Sequence, residues 1–286
     1  MREVALVTAR AWPELTPDDR LVLPELERRG ARASIVVWDD PAVRWRQFDR
    51  VVLRSVWDYH LRPAEFLEWL DRLGDDGIPL WNPGVVVSAN MDKAYLRLLE
   101  EQGIEVPATA WLDRGTRVAL ADLLQDRGWR QAVVKPSISA SAHRTWVATL
   151  ADADALQGRL DELLADGNAL VQEFAPEVTD AGEWSLIFLR GQFSHAVLKL
   201  PAAGDFRVQA EQGGSARLAP APAALVEQAR SILDRIDAPW LYARVDGVER
   251  GGRFLLMELE LVEPELFLRL EPAAAGRFAD AILAAD

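Results

Sequence analysis

The apolar run Val4 to Val7, closed by Thr8, reads as a buried β-strand, and runs of the same kind recur at Ser34 to Trp38 and Val51 to Ser55. Between them, apolar residues return at helical spacing near Pro17 to Arg29 and again from Pro63 to Leu73. Strands alternating with helices predict a small parallel α/β unit over residues 1–88. Ligands of such sheets sit beyond the carboxyl ends of the strands, here Thr8 to Trp12 and Arg54-Ser55-Val56-Trp57-Asp58-Tyr59. No G-x-G-x-x-G follows the first strand, which argues against a dinucleotide role. Trp81-Asn82-Pro83-Gly84 breaks the pattern and marks a boundary.

Beyond it, a helix is predicted from Asn90 or Met91 to Gln102, stopped by Gly103. A second unit, 89–175, continues with strand Thr109–Leu112, helix Leu120–Gly128, strand Ala132–Lys135, strand Thr145–Thr149, helix Ala153–Ala165 and strand Ala169–Phe174. The strands flanking Ser137-Ile138-Ser139-Ala140-Ser141-Ala142 form a predicted hairpin. Its small-residue loop would let backbone N–H groups approach phosphate oxygens, although a loop of Ala and Ser without glycine is equally a plain connection. The third unit, 176–286, has strands at Ser185–Leu189 and Ser194–Lys199 and a helix at Ala223–Ile236. It ends in a hairpin of Leu241–Val248 and Phe254–Val262 about Glu249-Arg250-Gly251-Gly252. The fold class is α/β throughout.

Composition narrows the functions. No stretch of the 286 residues approaches the roughly 18 apolar residues of a membrane span, and the first apolar run is too short for a signal peptide. With no Cys there is neither a disulfide framework nor thiolate chemistry, and a cytoplasmic location is the resulting expectation. A net charge of −13 without a basic run argues against nucleic-acid or anionic-membrane partners. Of 32 basic residues only three, Lys93, Lys135 and Lys199, are Lys. In so Arg-rich a chain, a retained Lys points to sites where a compact ammonium fits and a planar guanidinium does not. His60, His143 and His195 stand isolated and read as structural or surface residues; His143, beside the small-residue loop, is the one placed near chemistry.

The last hairpin carries the strongest local signal. Glu258 and Glu260 are two apart on one strand and share a face, and folding about Gly251 brings Asp246 to Glu258 and Arg244 to Glu260. Carboxylates crowded on one rigid surface repel unless a cation sits among them, and a hard divalent ion with oxygen ligands is one solution. The other is that Arg244 neutralises one carboxylate and the rest face water. A metal cluster with three selected lysines suits a nucleoside triphosphate, and Leu170-Val171-Gln172-Glu173-Phe174-Ala175 offers a purine both an apolar slot and a backbone edge.

Asn90-x-Asp92-Lys93, Val134-Lys135-Pro136 with its loop, Val171-Gln172-Glu173-Phe174, Gly182-Glu183, Lys199, Arg207, Asp246 and Glu258-x-Glu260, in this order, resemble the ATP-grasp superfamily, in its prokaryotic glutathione-synthetase-like branch. The resemblance spans nearly the whole chain. It implies an ATP-grasp fold behind an N-terminal pre-ATP-grasp α/β domain. Lys93 and Lys135 would contact ATP phosphates, and the loop with Ser137, Ser139 and Ser141 would close over them. Gln172, Glu173, Phe174 and Ala175 would border adenine and Glu183 the ribose. Lys199 and Arg207 would reach the terminal phosphate or the acyl phosphate, and Asp246, Glu258 and Glu260 would hold Mg²⁺ or Mn²⁺. Two positions depart from the pattern: Glu260 stands where the superfamily usually has Asn, and the lid loop lacks glycine.

Within that branch, Leu53 to Tyr59, the string Gly204-Asp205-Phe206-Arg207-Val208-Gln209, and Glu263-Pro264 are similar to the cycloserine-forming cyclo-ligase group, in which nucleophile and activated carboxylate belong to one molecule. The implied activity is an ATP-dependent carboxylate–amine ligase working through an acyl phosphate on a small amino-acid-like substrate. The alternatives are a catalytically inactive ATP-binding scaffold and a small-molecule kinase. Arg54, Trp57, Asp58 and Tyr59 are the expected substrate contacts. Homo-oligomers are common among such enzymes, but no motif here encodes one.

Overall fold

The computed structural model of the chain describes residues 1–202, 204–208 and 212–284; Gln209, the last residue of the 204–209 string, lies outside them. Three sheets organise the molecule. The first is parallel, in the order β2 (Ala31–Val37), β1 (Arg2–Thr8), β3 (Arg50–Ser55), β4 (Leu80–Trp81), with α1 (Val22–Arg28) and α2 (Pro63–Asp75) in the connections. Proline at the start of α2 supplies a φ suited to a first helical turn. Phe66, Trp69, Leu70 and Leu73, spaced three and four apart, turn one face of α2 into the core beside Trp38 and Phe48.

Next come α3 (Gly84–Met91) and α4 (Tyr95–Glu101), where one continuous helix was expected from residue 90 to 102. The break at Asp92-Lys93-Ala94 has tertiary causes. Lys93 donates its backbone N–H to Ser137 O at 2.8 Å. The Asn90 amide is clamped between Leu259 O and Leu261 N, and Asp92 Oδ1 takes the Ala94 N–H at 2.9 Å. The expected boundary after residue 88 accordingly falls inside α3.

The second sheet is antiparallel, in the order β5 (Thr109–Leu112), β8 (Ala169–Glu173), β6 (Gln131–Pro136), β7 (Trp146–Thr149), with α5 (Leu120–Arg127) and α6 (Ala153–Asp166) packed together on it. The β6–β7 hairpin matches expectation. Its glycine-free loop turns by holding Ser141, Ala142 and Arg144 at φ of 50°, 55° and 51°. Left-handed backbone on such residues costs about 1–2 kcal/mol each, so side-chain-bearing residues accept strain that glycine would avoid.

After the short α7 (Glu177–Asp180), the third sheet runs β11 (Ser215–Leu218), β10 (Gln192–Leu200), β9 (Glu183–Leu189), β12 (Tyr242–Arg250), β13 (Arg253–Glu260), all antiparallel, with α8 (Ala223–Leu233) packed on β12 and β13. Arg244 lies opposite Glu260 and Asp246 opposite Glu258; the turn at Gly251-Gly252 pairs Arg250 with Arg253, and a bulge between Asp246 and Gly247 shifts the ladder by one residue to give these pairs. The sequence reading did not anticipate α9 (Ala274–Leu283), which returns to the first lobe. It buries Ala274, Phe278, Ala279 and Ile282 beside Val4, Leu6 and Leu26 of the first lobe and Ile187 and Leu189 of the third sheet. Arg29 grips its far side through Asp280 at 2.6 Å and Gly276 O at 3.0 Å. First and third sheets therefore share one core. Among the described residues no helix is long and apolar enough to cross a membrane.

Candidate active site

A cavity of about 230 Å³ opens where the three sheets meet. All three lysines of the chain line it, each delivered by a different element. Lys93 enters from the α3–α4 break, with Nζ 3.0 Å from Glu258 Oε1 and 2.8 Å from Ser139 O. The end of β10 supplies Lys199, whose Nζ lies 2.6 Å from Glu183 Oε1 and 3.2 Å from Asp246 Oδ1. Gly182 makes room for the first of these pairs. It sits at φ +94° with Lys199 O only 2.7 Å from where a Cβ would stand, so a side chain there would push Glu183 off its lysine. Lys135 comes from β6, is half-buried, and has no carboxylate within ion-pair distance among the described residues. Burial outweighs the attraction of Glu258 and lowers its pKa from 10.5.

The ribbon β12–β13 supplies the acids. Asp246 is 1% exposed and receives Ser185 Oγ, Lys199, and Arg244 Nε at 2.9 Å. Arg244 also grips Glu260 through Nη2. Burial raises Asp246 and Glu258, yet the cations beside them, Arg244 and Lys199 for one and Lys93 and Lys135 for the other, leave both below the usual carboxylate range. Glu260 behaves oppositely: burial, with repulsion from Asp246 and Glu258, outweighs Arg244 and pushes it up to about 8. Burial likewise pushes Glu263 to about 7. Three carboxylates converging on one point, as expected from spacing, is not the arrangement present. Among the described residues no group of three acidic or imidazole side chains stands ready to close on a metal ion. Arg244 and the lysines interleave with the acids, because crowded carboxylates recruit the nearest cations on the chain.

An apolar slot adjoins these charges. Phe174, Ala175 and Val178 face Phe206, Val208 and Met257 across it, and the Phe174 and Phe206 rings meet edge to face at 6.4 Å. The backbone N–H groups of Glu173 and Phe174 are spent on Ala108 O and Gln131 O, whereas the Ala175 N–H finds no acceptor among the described residues. Gln172 lines the cavity too, its amide donating to Thr109 Oγ1 at 3.0 Å. Arg207 stands at the rim, held by Asp205 at 2.8 Å.

Of the residues singled out from sequence, Lys93, Lys135, Ser139, Ser141, Gln172, Phe174, Ala175, Glu183, Lys199, Arg207, Asp246, Glu258, Glu260, Trp57 and Tyr59 all line this one cavity. Four do not. Glu173 ends β8 outside it. Ser137 is turned onto Asp92 at 3.1 Å. Asp58 is occupied by Trp38 Nε1 and Arg62 Nη2. Arg54, expected to touch substrate, has a side chain with no exposed surface. Its guanidinium is paired to Asp19 at 2.8 Å, donates to Pro264 O at 2.7 Å and lies over Tyr242 and Phe278. A strand end pointing at a ligand region looks the same in sequence whether its cation faces the ligand or the joint between lobes. Arg54→Met is therefore expected to lower unfolding free energy by about 3–5 kcal/mol by stranding Asp19, read as a lower urea midpoint.

Sequence reasoning gave no site role to Tyr95, Glu263, Glu265, Phe267 and Arg269, which also line the cavity, although Glu263-Pro264 was one of the strings that carried the resemblance. All but Tyr95 lie on the stretch after β13, irregular up to a short 3-10 turn at Leu268–Leu270, where no periodicity signals a site. His143 does not line the cavity; its ring lies 5.1 Å from that of His60, which burial and then the His143 charge lower to about 4. His195 is buried against Leu266 O.

Residues 4–82 match the family model described as the N-terminal domain of D-cycloserine synthetase DcsG. The chain is 31% identical over 295 residues to the cycloserine biosynthesis protein DcsG of Streptomyces lavendulae, an alignment covering 98% of this chain and 97% of that protein. The crystal structure of D-cycloserine synthetase DcsG superposes with a TM-score of 0.86 at 30% identity, covering 98% of each chain. A RimK domain ATP-grasp protein from Sphaerobacter thermophilus shares the fold, with a TM-score of 0.72 at 20% identity and coverage of 99% and 100%.

Proposed function

We propose, for a chain that belongs to the D-cycloserine synthetase family of ATP-grasp ligases, that this cavity joins ATP to an amino-acid-like carboxylate and closes a ring within that one substrate. The activity of the chain is ATP-dependent ligation of a small substrate through an acyl phosphate. The observation that carries the residue assignments is the gathering of the only three lysines around one cavity. Several cations are needed there. At an effective dielectric near 20, each ammonium about 4 Å from a phosphate oxygen contributes roughly 4 kcal/mol before desolvation, and the protein as a whole repels a polyanion.

Lys135, with no carboxylate of its own, is the lysine left for phosphate. Lys93 and Lys199 are held in place by Glu258, Glu183 and Asp246 and exchange those partners for phosphate oxygens. Of the acids so released, Asp246 and Glu258 lie on one face of a rigid ribbon beside Glu260, which stays with Arg244, and these hard oxygen donors suit Mg²⁺ and would equally take Mn²⁺. Held by Asp246, Glu258 and Glu260, such a cation would offset phosphate charge during transfer. The Ala175 N–H and the Phe174, Val178 and Met257 slot suit the edge and faces of adenine, with Glu183 toward the ribose. Lys199 and Arg207 stabilise negative charge on the transferring phosphoryl group. The loop with Ser139 and Ser141 excludes water, while Ser137 and Asp92 brace its base. Trp57 and Tyr59 wall the substrate end.

The test is a screen of amino acids and O-substituted serines for phosphate release. Ring closure on one substrate yields equimolar ADP and phosphate with no second nucleophile added. A requirement for an added amine would refute the intramolecular step, phosphate retained on the product would indicate a kinase, and release of neither would leave an inactive scaffold.

A further inference from the structure

Six carboxylates line the cavity: Glu183, Asp246, Glu258, Glu260, Glu263 and Glu265. Five have a basic side chain in ion-pair contact: Lys199 for Glu183 and Asp246, Lys93 for Glu258, Arg244 for Glu260, Arg269 for Glu265. Among the described residues Glu263 has none, although it is only 6% exposed. Its own backbone N–H and the attraction of Arg244 and Lys93, both beyond ion-pair distance, repay only part of the hydration it loses on burial, and a ligand that brings a cation would supply the rest.

Its surroundings are built to hold it. The segment Glu263 to Leu266 has no regular structure, yet each of its carbonyls is taken by a side chain from elsewhere. Trp57 Nε1 holds Glu263 O at 3.1 Å, Arg54 holds Pro264 O at 2.7 Å, Arg244 holds Glu265 O at 3.1 Å and His195 Nε2 meets Leu266 O at 3.0 Å. Two of these four come from the first lobe. Trp57 and Tyr59 line the same end of the cavity, and Glu263 is the carboxylate that weighs most on the Tyr59 phenol. A carboxyl group fixed by a cross-lobe frame on a cavity that Trp57 and Tyr59 also line is a receptor for a small cation.

We propose that Glu263 is the anchor for the α-ammonium group of the substrate, and so the residue that restricts this ligase to amino acids. The assignment rests on the ligase function proposed above. It makes Glu263 a binding and orienting residue: the ammonium is held at Glu263 while the carboxyl group of the same molecule faces the phosphate-binding lysines.

The experiment compares O-ureido-D-serine with 3-(ureidooxy)propanoate, which lacks only the ammonium, in wild type, Glu263→Gln and Glu263→Asp. Wild type is expected to favour the amino substrate by roughly 30-fold or more in kcat/KM, the scale of a buried charged hydrogen bond. In Glu263→Gln that preference collapses, through a raised KM with kcat within about threefold, while MgATP affinity is unchanged. Glu263→Asp restores part of the preference. Wild type with equal kcat/KM for the two compounds would overturn the assignment without any variant, as would a Gln variant that keeps the preference. So would a loss confined to kcat, which would make Glu263 a proton acceptor instead. Absence of ATP-dependent turnover of either compound by wild type would strike the ligase function itself and the subsite with it.

Discussion

Replacing Lys135 with Met is expected to cut turnover by about 10²–10³-fold, equivalent to roughly 3–4 kcal/mol of lost transition-state stabilisation. The size follows from the state of the residue. Lys135 is a half-buried ammonium with no acidic partner at ion-pair distance among the described residues, so an entering anion finds it unpaired, with only the weaker pull of Glu258 and Glu183 on its charge. The folded chain draws on that charge only through the attraction it shares with Lys93 on Glu258, and its removal also relieves a desolvation cost, so thermal stability should change little. A turnover defect in a protein of undiminished stability, measured by phosphate release and thermal melting, is the expected pair of results. Wild-type turnover would show that phosphate is held elsewhere. The same burial sets a pH dependence. The free-enzyme pKa of Lys135 is lowered from 10.5, so nucleotide affinity should weaken as pH rises through a value below that of ordinary lysine. Lys135→Arg should abolish that alkaline limb, because guanidinium stays charged.

Replacing Glu258 with Gln should cost at least as much turnover, with a different binding signature. Glu258 fixes Lys93 at 3.0 Å and contributes one negative charge to the cavity. Its amide variant loses a metal ligand and also a repulsive charge. Nucleotide alone should therefore bind more tightly than to wild type, while the gain in affinity that Mg²⁺ confers shrinks. Calorimetry with and without Mg²⁺ measures both terms. An unchanged Mg²⁺ dependence would remove Glu258 from the metal set, whatever the rate. Glu260 calls for the parallel comparison, since it sits where the superfamily usually has Asn and its carboxyl is pushed up to about 8.

Much of the site was legible along the chain for local reasons. Two acids two residues apart must share a strand face, and a turn near Gly251 brings Arg244 and Asp246 close to them; the pairs Asp246–Glu258 and Arg244–Glu260 are completed by a bulge between Asp246 and Gly247 that no spacing announces. The scarcity of lysine was likewise a compositional fact that pointed at the cavity. What failed failed for non-local reasons. A helix expected through residues 90 to 102 breaks at Lys93 because Ser137, Leu259 and Leu261, far away in sequence, take its neighbours' hydrogen bonds. That break is what lets Lys93 reach Glu258. α9 went unread although Ala274, Phe278, Ala279, Ala281 and Ile282 recur at helical spacing; the signal was in the chain and was overlooked, and what only the fold supplies is α1 and the third sheet as the surfaces that receive it.

The linear chain by itself determined the element types, the strand pairings closed by short turns, and which residue types were available for phosphate, metal and substrate. Those follow from backbone periodicity and charge, which act over a few residues. Tertiary structure alone decided which charges meet. It brought Lys93, Lys135 and Lys199 around one cavity, sealed Arg54 into a joint with Asp19, wove Arg244 between the carboxylates, and left Glu263 buried with no ion-pair partner among the described residues. Ion pairing and desolvation depend on distance in space, and segments up to some two hundred residues apart acquire that distance only when the three sheets close around the cavity.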